Sequence, residues 1–215
     1  MSRHPQKNLG ARGSLKWMQR AVHVAPDLLQ PAGLPRLSWV SPLADDDYAE
    51  YGDAGFLERI GLAHLSPSLS EFWPRRGPQW DGLATFEGGS LIAEAKAHLG
   101  EFKSSPSKAK KTSKLKIARA FDQVQTALGV TNTAPWERTY YQYANRIAHL
   151  WWLRSRGVDC HLLFVDFIGD HDVRGPDKAS EWRAAFATAD AALGLDRAHA
   201  LGPFIHHVHP DIRLM

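Results

Sequence analysis

Cysteine is almost missing from this chain. Cys160 is the only one in 215 residues, which excludes an intramolecular disulfide and points to a reducing compartment. No apolar run is long enough to span a bilayer, so a membrane role is not expected. The basic opening, MSRHPQKNLGARGSLKW, lacks the apolar segment and small-residue cleavage site of a signal peptide, and a cytoplasmic location is expected. Charge of one sign is also in short supply. Lys and Arg number 26 against 23 Asp and Glu, a net charge of +3, which permits a polyanionic partner but not the role of a dedicated nucleic-acid coat. A hydrophobic fraction of 44% and a charged fraction of 23% exclude disorder.

What is present is the material for one α/β domain. Residues 1–13 read as a loose polar arm and Ser14 to about Val24 as a short helix, the pair forming an N-terminal unit over residues 1–44. In ADDDYAEYGDAGFLERIGL, acidic residues precede an amphipathic pattern, which predicts a helix with Glu50 turned inward. SPSLSEFWPRRGPQ, broken by prolines, predicts a short strand and an irregular approach to a sheet. WDGLATFE and SLIAEAKAH flank Gly88-Gly89 and predict a hairpin. A lysine-rich loop follows. SKLKIARAFDQVQTALG and RTYYQYANRIAHLWWLRSRG then predict helices closed by Gly129 and Gly157. DCHLLFVDFIG reads as a central buried strand. A core over residues 45–170 is followed by a C-terminal helix and strand over 171–215.

The stretch SLIAEAKAH places charges where burial is expected. Alternation puts Glu94, Lys96 and His98 on one strand face and Ala93, Ala95 and Ala97 on the other. A turn about Gly88-Gly89 sets Asp81 opposite Lys96 and Leu83 opposite Glu94, so Asp81 joins the charged face. Buried charges are costly unless paired or metal-bound. A hard divalent cation such as Mg²⁺ would remove that cost. The same spacing is also met by an ordinary Asp81–Lys96 salt bridge with Glu94 solvated at an edge.

GPQWD, a hairpin, then EAK resembles the PD-(D/E)XK nuclease superfamily. Here Gln79 and Trp80 stand between Pro78 and Asp81. The resemblance implies a restriction-endonuclease-like mixed β-sheet flanked by helices, in the order αβββαβ. It implies that Asp81, Glu94 and the Ala95 carbonyl hold Mg²⁺, with Mn²⁺ as a substitute, and that Lys96 activates or positions water. Glu50 is the accessory carboxylate. The expected activity is metal-dependent hydrolysis of phosphodiester bonds, with DNA as substrate and room for a homodimer. The rival is a non-catalytic nucleic-acid-binding or protein-interaction module on the same fold.

Several flanking features fit contact with nucleic acid. Lys108, Lys110 and Lys111 lie in a loop that could clamp a phosphate backbone. Gln142, Asn145, Arg146 and His149 form a polar stripe on an otherwise apolar helix. His98 follows Lys96 on its face and could meet a phosphate. Trp73 and Trp80 either stack on a base or wall the hairpin against the core. In HHVHP, His207 and His209 share a face that His206 does not.

Overall fold

The structure is a computed structural model that describes residues 2–6, 9–103, 109–130, 136–196 and 198–215. In chain order the elements are β1 (Ser2–His4), α1 (Gly13–Val24), β2 (Ser38–Ser41), β3 (Glu50–Gly52), α2 (Asp53–Arg59), α3 (Ser66–Phe72), β4 (Gly82–Phe86), β5 (Gly89–Lys96), α4 (Lys111–Leu128), α5 (Tyr141–Arg154), β6 (Cys160–Asp166), α6 (Ala179–Leu193) and β7 (Ile205–Val208). The main sheet has the order β2-β4-β5-β6-β7, and β1 pairs separately with β3. The pairs β2–β4 and β4–β5 are antiparallel, whereas β5–β6 and β6–β7 are parallel. The protein is therefore a mixed α/β fold with a five-stranded mixed sheet flanked by helices.

Strand alternation sorts β5 onto two different surfaces. Ala93, Ala95 and Ala97 face Trp17, Met18, Ala21 and Val22 of α1 in one buried cluster. The small side chains let the helix lie close to the sheet. Gly82 shows how close: a Cβ there would stand 2.3 Å from the Met18 methyl. On the opposite surface, Leu83, Ile92, Leu162 and Phe164 pack under α2 to α6 in the larger cluster. Glu94 and Lys96 share that surface by alternation, so the charges sit beneath the thicker helical layer.

Four local expectations need correction. The N-terminal arm, read as loose, is tied down where Ser2–His4 pair with Glu50–Gly52. Glu50 lies in β3, not on a helix, because Gly52 is extended (φ −137°) and the helix begins only at Asp53. The acids before it form a short 3-10 turn, where Asp46 receives Arg3 and the Tyr51 hydroxyl. SPSLSEF is α3 and not a strand, since its proline falls in the first turn, where a missing N–H costs nothing. The hairpin register is offset from the expected one. Gly82 faces Ala93 and Leu83 faces Ile92, because the turn closes between Phe86 and Gly89. The offset is an even number of residues, so every side chain keeps its predicted face.

β3 is held against the approach to β4 by a bridge in which the Trp80 N–H donates to the Tyr51 carbonyl at 3.0 Å. The backbones come so close that a Cβ on Gly52 would lie 2.7 Å from the Pro78 carbonyl oxygen. Gly52→Ala should therefore destabilise the fold by about 1–3 kcal/mol. Urea unfolding checks this, and an unchanged midpoint would show that the two segments separate freely.

Candidate active site

Glu94 is 2% exposed and Lys96 6%, so neither charge is solvated. Their burial follows from the sheet order: β5 is the middle strand and α5 covers this surface. Arg146, on α5, resolves the electrostatics. Its Nε donates to Glu94 Oε2 at 2.6 Å, and its Nη2 stands 2.5 Å from the same oxygen. Lys96 Nζ donates to Oε1 and lies 3.4 Å from the Ala95 carbonyl. The remaining guanidinium donors go to Asn145 Oδ1 and the Gln79 carbonyl, both at 2.8 Å, and the group lies over the Trp80 ring at 4.7 Å. Burial pushes the Glu94 carboxyl upward, but Arg146 and Lys96 outweigh it and hold the group below its ordinary range.

The other two carboxylates lack such partners. Asp81 Oδ2 accepts the Ala95 N–H at 2.7 Å, and neither Asp81 nor Glu50 has an ion-pair partner among the described residues. Burial and the Glu94 charge raise Asp81 well above the usual carboxylate range, against a counter-pull from Lys96. The same two causes lift Glu50 to about 7, with Arg146 opposing. Glu50, Asp81 and Glu94 thus act on one another as a crowded anionic group.

Asp81 opens onto a cleft of about 470 Å³ lined also by Arg76, Gln79, Gln142, Asn145 and Arg146. Among the described residues, no three His, Cys, Asp or Glu side chains converge as a ready-made cation cluster. The donor set nevertheless suits a hard divalent ion in its chemistry: two carboxylates in search of positive charge, a third carboxylate and a backbone carbonyl. Such an ion would take up the repulsion that raises Asp81 and Glu50.

Asp81 bonds the Ala95 N–H, Glu94 bonds Lys96, and Glu50 feels the Glu94 charge; Gln142 lines the cleft with Asp81 and a smaller cavity with Glu94 and Lys96. The alternative of an Asp81–Lys96 salt bridge with Glu94 solvated is not what forms: Lys96 pairs with Glu94, which is buried. Arg146 is buried and committed to Glu94 rather than standing on an open polar stripe. α5 is covered around most of its circumference, so Asn145 and His149 are buried as well. His98 lines a different cleft, beside Arg12 and Arg174, and pairs with Glu101 at 3.3 Å. Lys110 and Lys111 are exposed at the start of α4, and Lys108 lies outside the described residues. Trp73 and Trp80 are core walls.

Asp166 was not singled out from the sequence. It is fully buried opposite Lys96 in the strand register, and its Oδ1 has no partner among the described residues. His207 Nδ1 lies 3.2 Å from Oδ2 in hydrogen-bond contact, and His209 Nδ1 lies 3.7 Å away. The available signal was a lone acid inside an apolar strand, which only the register connects to Lys96. No family model, curated protein or solved structure was found to match the chain.

Glu50 gives a pH test. Its folded value lies above its ordinary 4.5, so between those values the native state keeps a proton that the unfolded chain has released. The stability from this proton is complete below about 4.5 and is lost as the pH rises through about 7. In EDTA, Glu50→Gln should be more stable than the wild type at pH 8 by about 1–3 kcal/mol. The two should converge near pH 5. Urea unfolding at both pH values checks this, and a pH-independent difference would overturn it.

Proposed function

We propose that the chain is a divalent-metal-dependent nuclease with a restriction-endonuclease-like fold, hydrolysing phosphodiester bonds in DNA. The observation that carries this reading is the crowding of carboxylates: among the described residues Asp81 and Glu50 have no ion-pair partner, and both feel the Glu94 charge beside a buried lysine. A structural salt-bridge cluster would have balanced its charges. The order of α2 and α3, the strands β4 and β5, the helix α5 and the strand β6 is compatible with that fold.

Asp81, Glu94 and the Ala95 carbonyl would hold the ion, with Glu50 alongside. Bound there, a divalent cation supplies positive charge to phosphate oxygens and lowers the pKa of water. The chain's own contribution lies in Lys96. Its ammonium is fixed against Glu94 and near the Ala95 carbonyl, so it offers a positioned charge where negative charge develops during in-line displacement. Asp81 is oriented by the Ala95 N–H. Gln142 and Arg76 line the approach, and Lys110 and Lys111 add exposed positive charge near the start of α4.

One observation favours the non-catalytic module: Glu94 already has two cations, so an entering metal must compete with Arg146. Plasmid nicking and thermal unfolding in Mg²⁺, Mn²⁺ and EDTA separate the readings. For the nuclease, Mn²⁺ should raise the Tm of the wild type and not of Asp81→Ala. Nicking should require the metal. DNA binding in EDTA by a protein that neither nicks nor shifts its Tm with metal would instead support the binding module.

Lys96→Met divides chemistry from folding. Arg146 still neutralises Glu94 in this variant, so stability should change by no more than about 1–2 kcal/mol. Nicking should fall by orders of magnitude. A variant that nicks as well as the wild type would remove Lys96 from the mechanism.

A further inference from the structure

Both oxygens of Glu94 are already engaged by cations. Oε2 accepts from Arg146 Nε, with Nη2 of the same group 2.5 Å away, and Oε1 accepts from the Lys96 ammonium. A carboxylate in this state can ligate a metal ion only by releasing a donor. Arg146 approaches through two nitrogens and is anchored further at Asn145 and the Gln79 carbonyl. Lys96 has one contact with Glu94 and a long one, 3.4 Å, to the Ala95 carbonyl. Lys96 is therefore the group that gives way. Its ammonium, only 6% exposed and repelled by an incoming cation, then needs another acceptor, because a buried charge without a partner is strongly unfavourable.

Asp166 offers one. It is the partner of Lys96 in the parallel ladder of β5 and β6, so the two side chains leave the same face of strands about 5 Å apart. Its Oδ1 is buried with no hydrogen-bond partner among the described residues, while Oδ2 lies 3.2 Å from His207 Nδ1. Burial raises the Asp166 carboxyl above its ordinary range, and the His207 contact and the Lys96 charge oppose that rise. Lys96 also has slack: a cavity of about 10 Å³ lies against it, bounded by Glu94, Gln142, Tyr143 and Phe164. Asp81 is no substitute, since the same ion would engage it.

We infer that Asp166 is a positioning residue for Lys96, the second acceptor to which the ammonium transfers when Glu94 takes a divalent ion. The inference rests on the nuclease reading of the site. Glu94 holds Lys96 in the metal-free protein, and Asp166 holds it in the loaded one. Arg146 keeps its contacts in both. The competition that an ion meets at Glu94 then falls on a lysine with a second acceptor, and not on the guanidinium.

Mn²⁺ binding, followed by the EPR signal of the free ion, reads the exchange without turnover. Asp166→Asn keeps the shape of the side chain and removes its charge, with the fold checked by thermal unfolding. It should bind Mn²⁺ about tenfold or more weakly than the wild type, the order expected of one hydrogen bond to a charged group. In a Lys96→Met background no ammonium has to move, so adding Asp166→Asn should leave Mn²⁺ affinity unchanged, whereas a merely structural effect would persist there. A metal-free arm uses Glu94→Gln in EDTA, or the charge-balanced Glu94→Gln/Arg146→Gln if the single variant does not fold. Its crystal structure should show Lys96 Nζ hydrogen-bonded to Asp166 Oδ1, and this arm decides alone if Asp166→Asn does not fold. Equal Mn²⁺ affinity of Asp166→Asn and the wild type, a loss that persists without Lys96, or an ammonium that stays at position 94 or turns to Asp81 would overturn the inference. An ammonium on Asp166 in a protein that binds no Mn²⁺ supports the second acceptor and sinks the nuclease reading. Metal-dependent nicking with the ammonium still at position 94 does the reverse.

Discussion

Glu94 lies in the middle strand of the sheet, almost wholly removed from water, and keeps its charge because Arg146 and Lys96 reach it from two directions. This pairing constrains much else. It fixes the face of α5 that meets the sheet, and it ties the Gln79 carbonyl and the Trp80 ring to the same guanidinium. The approach to Asp81 is thereby positioned by a helix far away in sequence. The arrangement also explains why three neighbouring carboxylates behave differently. The one with cations is held ionised, and the two that feel its charge without such partners are driven toward the neutral form.

The hairpin and its two faces were legible in the sequence because a period of two survives an even error in register. Asp81, Glu94 and Lys96 fall on one side whether the turn is placed correctly or not. The helices from Lys111 and Tyr141 were legible from their apolar spacing and terminal glycines. Glu50 was placed near the site on the wrong element. Its helical pattern is real, but Gly52 interrupts it, and the backbone contact with Pro78 that demands a glycine is long-range. Arg146 was read from its spacing as part of a polar stripe that meets nucleic acid or the site's carboxylates, and it meets Glu94. Periodicity identifies a polar face on a helix but not what covers it, and here the cover is a buried carboxylate. Asp166 was hidden for a related reason, since its relation to Lys96 exists only across the parallel pairing of β5 and β6.

The two sides of β5 obey different rules. On the helix-rich side, position is set by charge: Lys96 faces Glu94 within its own strand and Asp166 across the sheet, with His207 and His209 beyond. On the α1 side, position is set by volume, and alanine is nearly the only fit. The strand therefore acts as a rigid beam whose register cannot slip by one residue without exchanging a salt bridge for a methyl group.

That division bears on how the chain could drift in sequence. From Ala93 to Ala97 no residue is free: every second one answers to electrostatics and the others to the closeness of a helix. A larger side chain on the alanine face would push α1 outward, and relief would require a compensating reduction on that helix, at Trp17 or Met18. Ala95 is the tightest case, since its N–H holds Asp81 and its carbonyl lies by the Lys96 ammonium while its methyl belongs to the opposite core. Related chains should vary there only together with their first helix.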